Sequence, residues 1–273
     1  MNACGVRGPG SGVGSQKCGP RTGTLIAAAL VFLLMGFSSV AWGQELTATE
    51  MVRRYDRLLR GDTNQWQIEM VVKTPRWERS YRMNSWMVGE RKTLIRVLAP
   101  KKSEGQGFLK LEYSLWMYLP TVERTIMIPP SMMLQDFLGS DFSYDDLVKA
   151  GRAVDDYTHR LLREESVEGT KTWVIELTPK PEAPVVYGKL ILWLRASDYI
   201  PLRQEFYDES GTLLKTMHFS GVRQFNDRAI PTRWHLVNEI KKGNSTEMTV
   251  LEAKFNLPLR DELFTQRTLE RYP

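Results

Sequence analysis

Ser80-Tyr81-Arg82-Met83-Asn84-Ser85-Trp86-Met87-Val88-Gly89-Glu90-Arg91-Lys92-Thr93-Leu94-Ile95-Arg96-Val97-Leu98 is the stretch that decides the fold. Ser80 to Val88 and Lys92 to Leu98 are rich in β-branched and aromatic residues and read as two strands. Val88-Gly89-Glu90-Arg91 is the turn between them, short enough to force antiparallel pairing.

The same grammar extends in both directions. Upstream, Trp66-Gln67-Ile68-Glu69-Met70 alternates apolar and polar residues, as a strand with one buried face should. Downstream, Gly107 to Glu112, Leu115 to Leu119 and Glu123 to Ile128 predict three more strands. After residue 156 come Tyr157 to Glu164, Trp173 to Thr178, Lys189 to Arg195, Leu202 to Tyr207, Leu213 to Phe225, Ile230 to Ile240 and Ser245 to Phe255. Glu168-Gly169, Ser210-Gly211 and Lys242-Gly243-Asn244 supply turns, and Pro179 to Pro184 reads as a long hairpin loop. The expectation is a mainly β chain: one antiparallel meander long enough to curl into a barrel or half-barrel.

Helices are few. Thr47 to Arg60 carries Met51, Tyr55, Leu58 and Leu59 at helical spacing, with Thr47 and Glu50 placed as a capping box. Asp261 to Arg271 predicts a short closing helix. Ser143 followed by Asp146 predicts a helix N-cap with an acidic residue in the first turn.

The N-terminal segment reads as a targeting sequence. Arg7, Lys17 and Arg21 form a basic region, Thr24 to Phe37 is almost wholly apolar, and Ala41-Trp42-Gly43 suits cleavage after Gly43. The apolar run is shorter than the roughly 20 residues that span a bilayer. The division expected is a signal peptide over 1–43 and a single domain over 44–273, of 273 − 43 = 230 residues, exported to the periplasm. Both cysteines, Cys4 and Cys18, fall in the signal segment, so the exported chain has no disulfide and no thiol nucleophile. Its charge becomes (37 − 3) − 32 = +2, which gives no argument for nucleic-acid binding.

Catalytic patterns do not emerge. His159, His218 and His235 lie in predicted strands without partners at metal-ligand spacing, so no metal site is expected. There is no nucleophile elbow, Walker loop or dinucleotide fingerprint. Asp141, Asp145 and Asp146 lack the glycine and glutamate of a calcium loop. Asp155-Asp156 reads as a solvated turn. No catalytic residue and no cofactor are expected.

Apolar chemistry dominates instead. The exported chain holds seven tryptophans and ten methionines. One segment stands apart: Pro129-Pro130-Ser131-Met132-Met133-Leu134-Gln135-Asp136-Phe137-Leu138. Its prolines can open a helix but not continue one. Methionine suits surfaces that grip apolar partners of varied shape. Two readings fit: a lid over an apolar cavity built from Met132, Met133, Leu134, Phe137, Leu138 and Phe142, or a core helix closing the end of the sheet. Trp86, Leu94, Leu98, Trp116 and Met117, from the neighbouring predicted strands, are the candidates for the cavity wall. Arg96 shares the face of Leu94 and Leu98; there it latches a lid, meets a ligand head group, or snorkels to solvent.

These residues carry a resemblance. Val97-Leu98-Ala99-Pro100, Gly105-Gln106-Gly107-Phe108-Leu109, Leu115-Trp116-Met117-Tyr118-Leu119-Pro120 with Glu123-Arg124, and above all Gly139-Ser140-Asp141-Phe142-Ser143-Tyr144-Asp145-Asp146-Leu147 resemble the outer-membrane lipoprotein-sorting proteins, the LolA-like periplasmic carriers. The resemblance covers nearly all of residues 44–273. It implies a half-open antiparallel β-barrel whose concave apolar face is covered by helices. It implies binding of the acyl chains of lipoproteins or lipids, an inner-membrane transporter complex as donor and an outer-membrane acceptor. The family's lid-latching arginine makes Arg96 and Arg82 candidates here. Four other roles remain: a sensor of mislocalised lipoproteins acting through a protein partner, an accessory of a lipid-exporting transporter, an enzyme acting on a lipid or polysaccharide, which would need a paired acid and base in the cavity, and a structural envelope protein.

Overall fold

The computed structural model describes residues 46–271; the expected signal peptide and its cleavage after Gly43 lie outside the described residues. The chain opens with helix α1 (Ala48–Arg60). Thr47 caps it, its hydroxyl accepting from the Glu50 amide at 3.2 Å. The reciprocal half of the expected capping box is not made, because the Glu50 carboxylate turns to Arg53 and Arg54. Gly61, at φ 63°, ends the helix.

Thirteen strands follow: β1 (Thr63–Lys73), β2 (Glu78–Val88), β3 (Lys92–Ala99), β4 (Gly107–Leu111), β5 (Ser114–Leu119), β6 (Arg124–Met127), β7 (Tyr157–Val167), β8 (Thr170–Pro179), β9 (Lys189–Arg195), β10 (Pro201–Tyr207), β11 (Leu213–Phe225), β12 (Arg228–Asn238) and β13 (Ser245–Phe255). They form one sheet in the order β6-β5-β4-β3-β2-β1-β13-β12-β11-β10-β9-β8-β7, with every pairing antiparallel. The chain therefore starts in the middle of the sheet and walks to one edge at β6. It then crosses to the other edge at β7 and walks back to pair β13 with β1.

The sheet curls without closing. Met117 of β5 and Tyr157 of β7, near opposite ends of the strand order, belong to one buried cluster together with Met51 and Leu59 of α1. One core shared by strands from both ends of the ladder and by α1 fits a sheet that folds over on itself. The edges β6 and β7 remain unpaired with each other, so the barrel is half-open.

A second, smaller core lies on the outer face. The C-terminal segment carries a one-turn 3₁₀ helix (Asp261–Leu263) and helix α4 (Gln266–Arg271). Phe264 and Leu269 from this segment cluster with Trp86, Leu94 and Leu109. Strands β2 to β5 are consequently apolar on both faces.

The stretch crossing from β6 to β7 spans residues 128–156. The methionine-rich part does not form the helix its prolines permit. It makes two 3₁₀ turns, Pro130–Met132 and Phe137–Gly139, the second interrupted by Leu138 and Gly139 in left-handed conformations at φ 55° and 75°. Only then come the short helices α2 (Tyr144–Lys149) and α3 (Ala153–Asp156). Asp156, expected in a solvated turn, is buried and pairs with Arg152 at 3.1 Å.

Candidate functional site: the cavity beneath the crossing segment

The crossing segment is fastened to the sheet by buried polar contacts. The Tyr81 hydroxyl on β2 donates to the Leu138 carbonyl at 3.0 Å. Asp141 is buried and accepts from Asn238 Nδ2 of β12 and Thr246 Oγ1 of β13, each at 2.9 Å. The Ser143 N-cap expected from the sequence starts α2, and the Asp146 side chain completes it as a capping box. Asp146 also reaches across the mouth, accepting from the Tyr187 hydroxyl at 2.6 Å and from Lys215 Nζ of β11 at 2.9 Å. Burial and the adjacent Asp146 carboxylate push the Tyr187 phenol well above its ordinary range.

Between these tethers, apolar side chains close over the concave face. Phe137 is buried and packs edge-on against Phe108 of β4, ring centroids 4.8 Å apart. Tyr144 lies 6.3 Å from Phe137 and donates to Met117 Sδ at 3.8 Å.

Under the segment lie two lobes of empty space, each of about 160 Å³. The first is almost wholly apolar and is walled by Trp66, Ile68, Met83, Met87, Ile95, Phe108 and Leu115, with Trp234 and Met248 beside them. The second lies against α1 and strands β9 to β12, and includes Tyr55, Leu190, Phe206 and Met217. Leu59, Arg60, Phe142, Asp146, Ala150 and Trp234 border both lobes. Trp66 and Trp234 meet edge to face at 5.7 Å.

Sequence-derived site residues fall into three groups. Phe137 and Phe142 line the cavity. Met132, Met133 and Leu138 pack on the same core from the crossing segment, and Met117 lies under Tyr144. The rest are elsewhere. Trp86, Leu94 and Trp116 belong to the outer cluster under the C-terminal segment, one residue out of parity with the cavity-lining Ser85, Ile95 and Leu115. Leu98 sits where the β2–β3 register slips by a bulge. Leu134 is 65% exposed.

The two candidate arginines are placed differently. Arg82 is exposed on β2. Arg96 is buried on the outer face, where its guanidinium donates to the carbonyls of Gly105 at 2.6 Å, Thr268 at 3.2 Å and Leu269 at 2.5 Å. It holds the last turn of α4, a favourable place for a cation. Gly107 makes room for this contact: a Cβ there would lie 2.6 Å from Leu269 Cδ1 and 3.0 Å from Arg96 Nη1.

One charged residue of the cavity, Lys110, had no signal in the sequence, and the buried Asp145 lies beside the cavity-lining Asp146. Lys110 of β4 is only 2% exposed and lines the first lobe. Burial, reinforced by the nearby Arg60 and Arg152 cations, lowers its ammonium to about 7. Asp145 is buried in the first turn of α2, and that burial raises its carboxyl to about 6 against the opposing pull of Lys149. Among the described residues no group of three or more acidic, cysteine or histidine side chains is placed to hold a metal. His159 is satisfied by Thr49 Oγ1 at 3.2 Å and the Ala153 carbonyl at 2.9 Å.

Solved structures share this architecture. An outer membrane lipoprotein-sorting protein domain from Vibrio parahaemolyticus matches with a TM-score of 0.72 at 27% identity, over 82% of this chain and 98% of that one. A LolA superfamily protein from Nitrosomonas europaea matches with a TM-score of 0.71 at 27% identity, over 82% of this chain and 100% of that one. A DUF1329 family protein from Desulfovibrio piger shares the fold, with a TM-score of 0.76 at 21% identity over 81% of this chain and 97% of that one. No curated protein matches the chain. A family model whose description reads "-like: Uncharacterized protein" matches residues 89–271. The chain belongs to that family, and its fold is LolA-like, that of the lipoprotein-sorting proteins.

Proposed function

We propose that this protein is a non-enzymatic periplasmic carrier that takes acyl chains of lipoproteins or lipids into the cavity beneath residues 128–156. It moves them between the inner and outer membranes. The observation that carries this reading is the first lobe, an almost wholly apolar space left unfilled between a curled sheet and a segment tied down by a few polar contacts.

The physical need is clear. Exposing a 16-carbon chain to water costs ~13 kcal/mol at ~0.8 kcal/mol per methylene. A cavity as apolar as a bilayer makes the transfer nearly isoenergetic. Direction is then set outside the carrier, by an inner-membrane transporter complex that loads it and an outer-membrane acceptor that unloads it. Loading needs the crossing segment to lift, and the tethers at Asp141 and Asp146 set the cost of lifting it.

Phe142→Asp tests the reading, because Phe142 borders both lobes and is only half-buried. The variant is expected to lose at least tenfold in affinity for a fluorescent acyl probe while its β-sheet circular dichroism is unchanged. Undiminished affinity in a folded Phe142→Asp protein rules out this cavity as the acyl site.

A further inference from the structure

The first lobe is apolar, yet one of its walls holds a lysine. Lys110 follows Phe108 on the concave face of β4, and its ammonium makes one long hydrogen bond, to the Ala150 carbonyl at 3.3 Å. An ammonium has three donors to place. Among the described residues no carboxylate forms an ion pair with it. Its charged neighbours are mostly cations: Arg60, Arg152 and Lys149, with Glu90 as the opposing charge. Two of those cations already have partners. Arg60 pairs with Asp56 at 2.8 Å, and Arg152 pairs with Asp156 at 3.1 Å and Glu90 at 3.8 Å.

Arg60 is brought to the same place by a glycine. Gly151, at φ 87°, lets the guanidinium lie against its backbone; a Cβ there would be 2.6 Å from Arg60 Nε. Ala150 thus receives Lys110 while Gly151 receives Arg60, and both cations line the first lobe. The lobe's one carboxylate, Asp146, is already taken by Tyr187 and Lys215, and Arg60 by Asp56, so Lys110 is left without an ion-pair partner among the described residues, a costly arrangement for an empty protein. An anion entering the lobe would offset that cost.

We propose that the first lobe binds an anionic amphiphile, whose carboxylate or phosphate sits between Lys110 and Arg60 and whose alkyl chain runs along Phe108, Ile95 and Trp66. This rests on the carrier reading and narrows its cargo. An acyl chain joined through an ester or amide has no charge at its head and leaves Lys110 unmatched. A free fatty carboxylate or a phosphate-headed lipid satisfies it.

The test is calorimetric titration of the purified protein with three 12-carbon probes: laurate, dodecyl phosphate and dodecanol. Wild type is expected to bind laurate or dodecyl phosphate at least tenfold more tightly than dodecanol, and which of the two wins identifies the head group. Lys110→Met is expected to abolish that preference, so that laurate, dodecyl phosphate and dodecanol bind within about threefold of one another. Lys110→Gln retains a donor for the Ala150 carbonyl, so it separates the loss of charge from the loss of the hydrogen bond and is expected to behave as Lys110→Met does. Equal binding of all three probes by wild type, or a preference that survives both substitutions, overturns the inference and leaves the carrier reading standing. Failure of wild type to bind any probe overturns both.

Discussion

The Thr246 hydroxyl donates to a carboxylate oxygen of Asp141 and accepts from the Asp141 amide, both at 2.9 Å, so one side chain on β13 closes a two-bond ring with the crossing segment. The ring is buried, and Asn238 supplies a third bond at 2.9 Å. A hydrogen bond to a buried charge is worth about 1.5–3 kcal/mol, and leaving the carboxylate underpaired costs more than leaving it out. Thr246→Val should therefore destabilise the protein by about 2 kcal/mol in urea denaturation. Hydrogen exchange should accelerate in residues 128–156 before it accelerates in β1 or β13. Exchange that rises uniformly over the sheet would mean the segment is no separate gate.

The Arg96 guanidinium donates to carbonyls at the end of α4. Arg96→Met removes the donors to the Thr268 and Leu269 carbonyls, and should expose the C-terminal segment to trypsin at Arg260 and Arg267. Stability should fall by about 2–4 kcal/mol. Acyl-probe affinity should remain within about threefold of wild type, because the side chain lies on the outer face. A selective loss of binding in a folded variant would restore Arg96 to the gate.

Lys110 makes stability depend on pH in a specific direction. Its ammonium is lowered from 10.5 to about 7, so between those values the unfolded chain binds the proton that the folded chain has released. The penalty is full below about pH 7 and fades as pH rises toward 10.5. Lys110→Met should accordingly raise stability by about 1–4 kcal/mol at pH 6, and by progressively less at pH 8 and 9.5. A gain independent of pH would show that the lysine is charged in both states throughout.

Trp66 and Trp234 border the first lobe, whereas Trp86 and Trp116 lie under the C-terminal segment. A brominated acyl chain should quench fluorescence from the first pair. Trp66→Phe and Trp234→Phe should each reduce that quenching, and Trp86→Phe should not. Quenching that depends on Trp86 would place the ligand on the outer face.

The strands were legible in the sequence because their turns were. Lys92 to Leu98 and Ser245 to Phe255 stand within a residue of where the sequence reading put them. The Ser143–Asp146 cap was legible because capping is local chemistry between residues three apart. The facing of β2 to β5 was not. Trp86 and Ile95 are apolar on opposite faces of the sheet, since Phe264 and Leu269 cover the outer one, and a strand buried on both sides has no alternation to read. The bulge at Leu98 then shifts the parity of β3 relative to β2. Lys110 was illegible for the converse reason: a lysine between Leu109 and Leu111 reads as the solvent face of a strand. Its burial comes from α2, some 40 residues further on, arriving with the Ala150 carbonyl.

Native mass spectrometry of the protein purified from its own host, with extraction of whatever co-purifies, tests the central claim most directly. The account predicts one acyl-chain lipid per protein in stoichiometric amount, absent from the Phe142→Asp variant. A wild-type protein that emerges empty, and stays empty after incubation with phospholipid, fatty acid and lipopeptide, would contradict it.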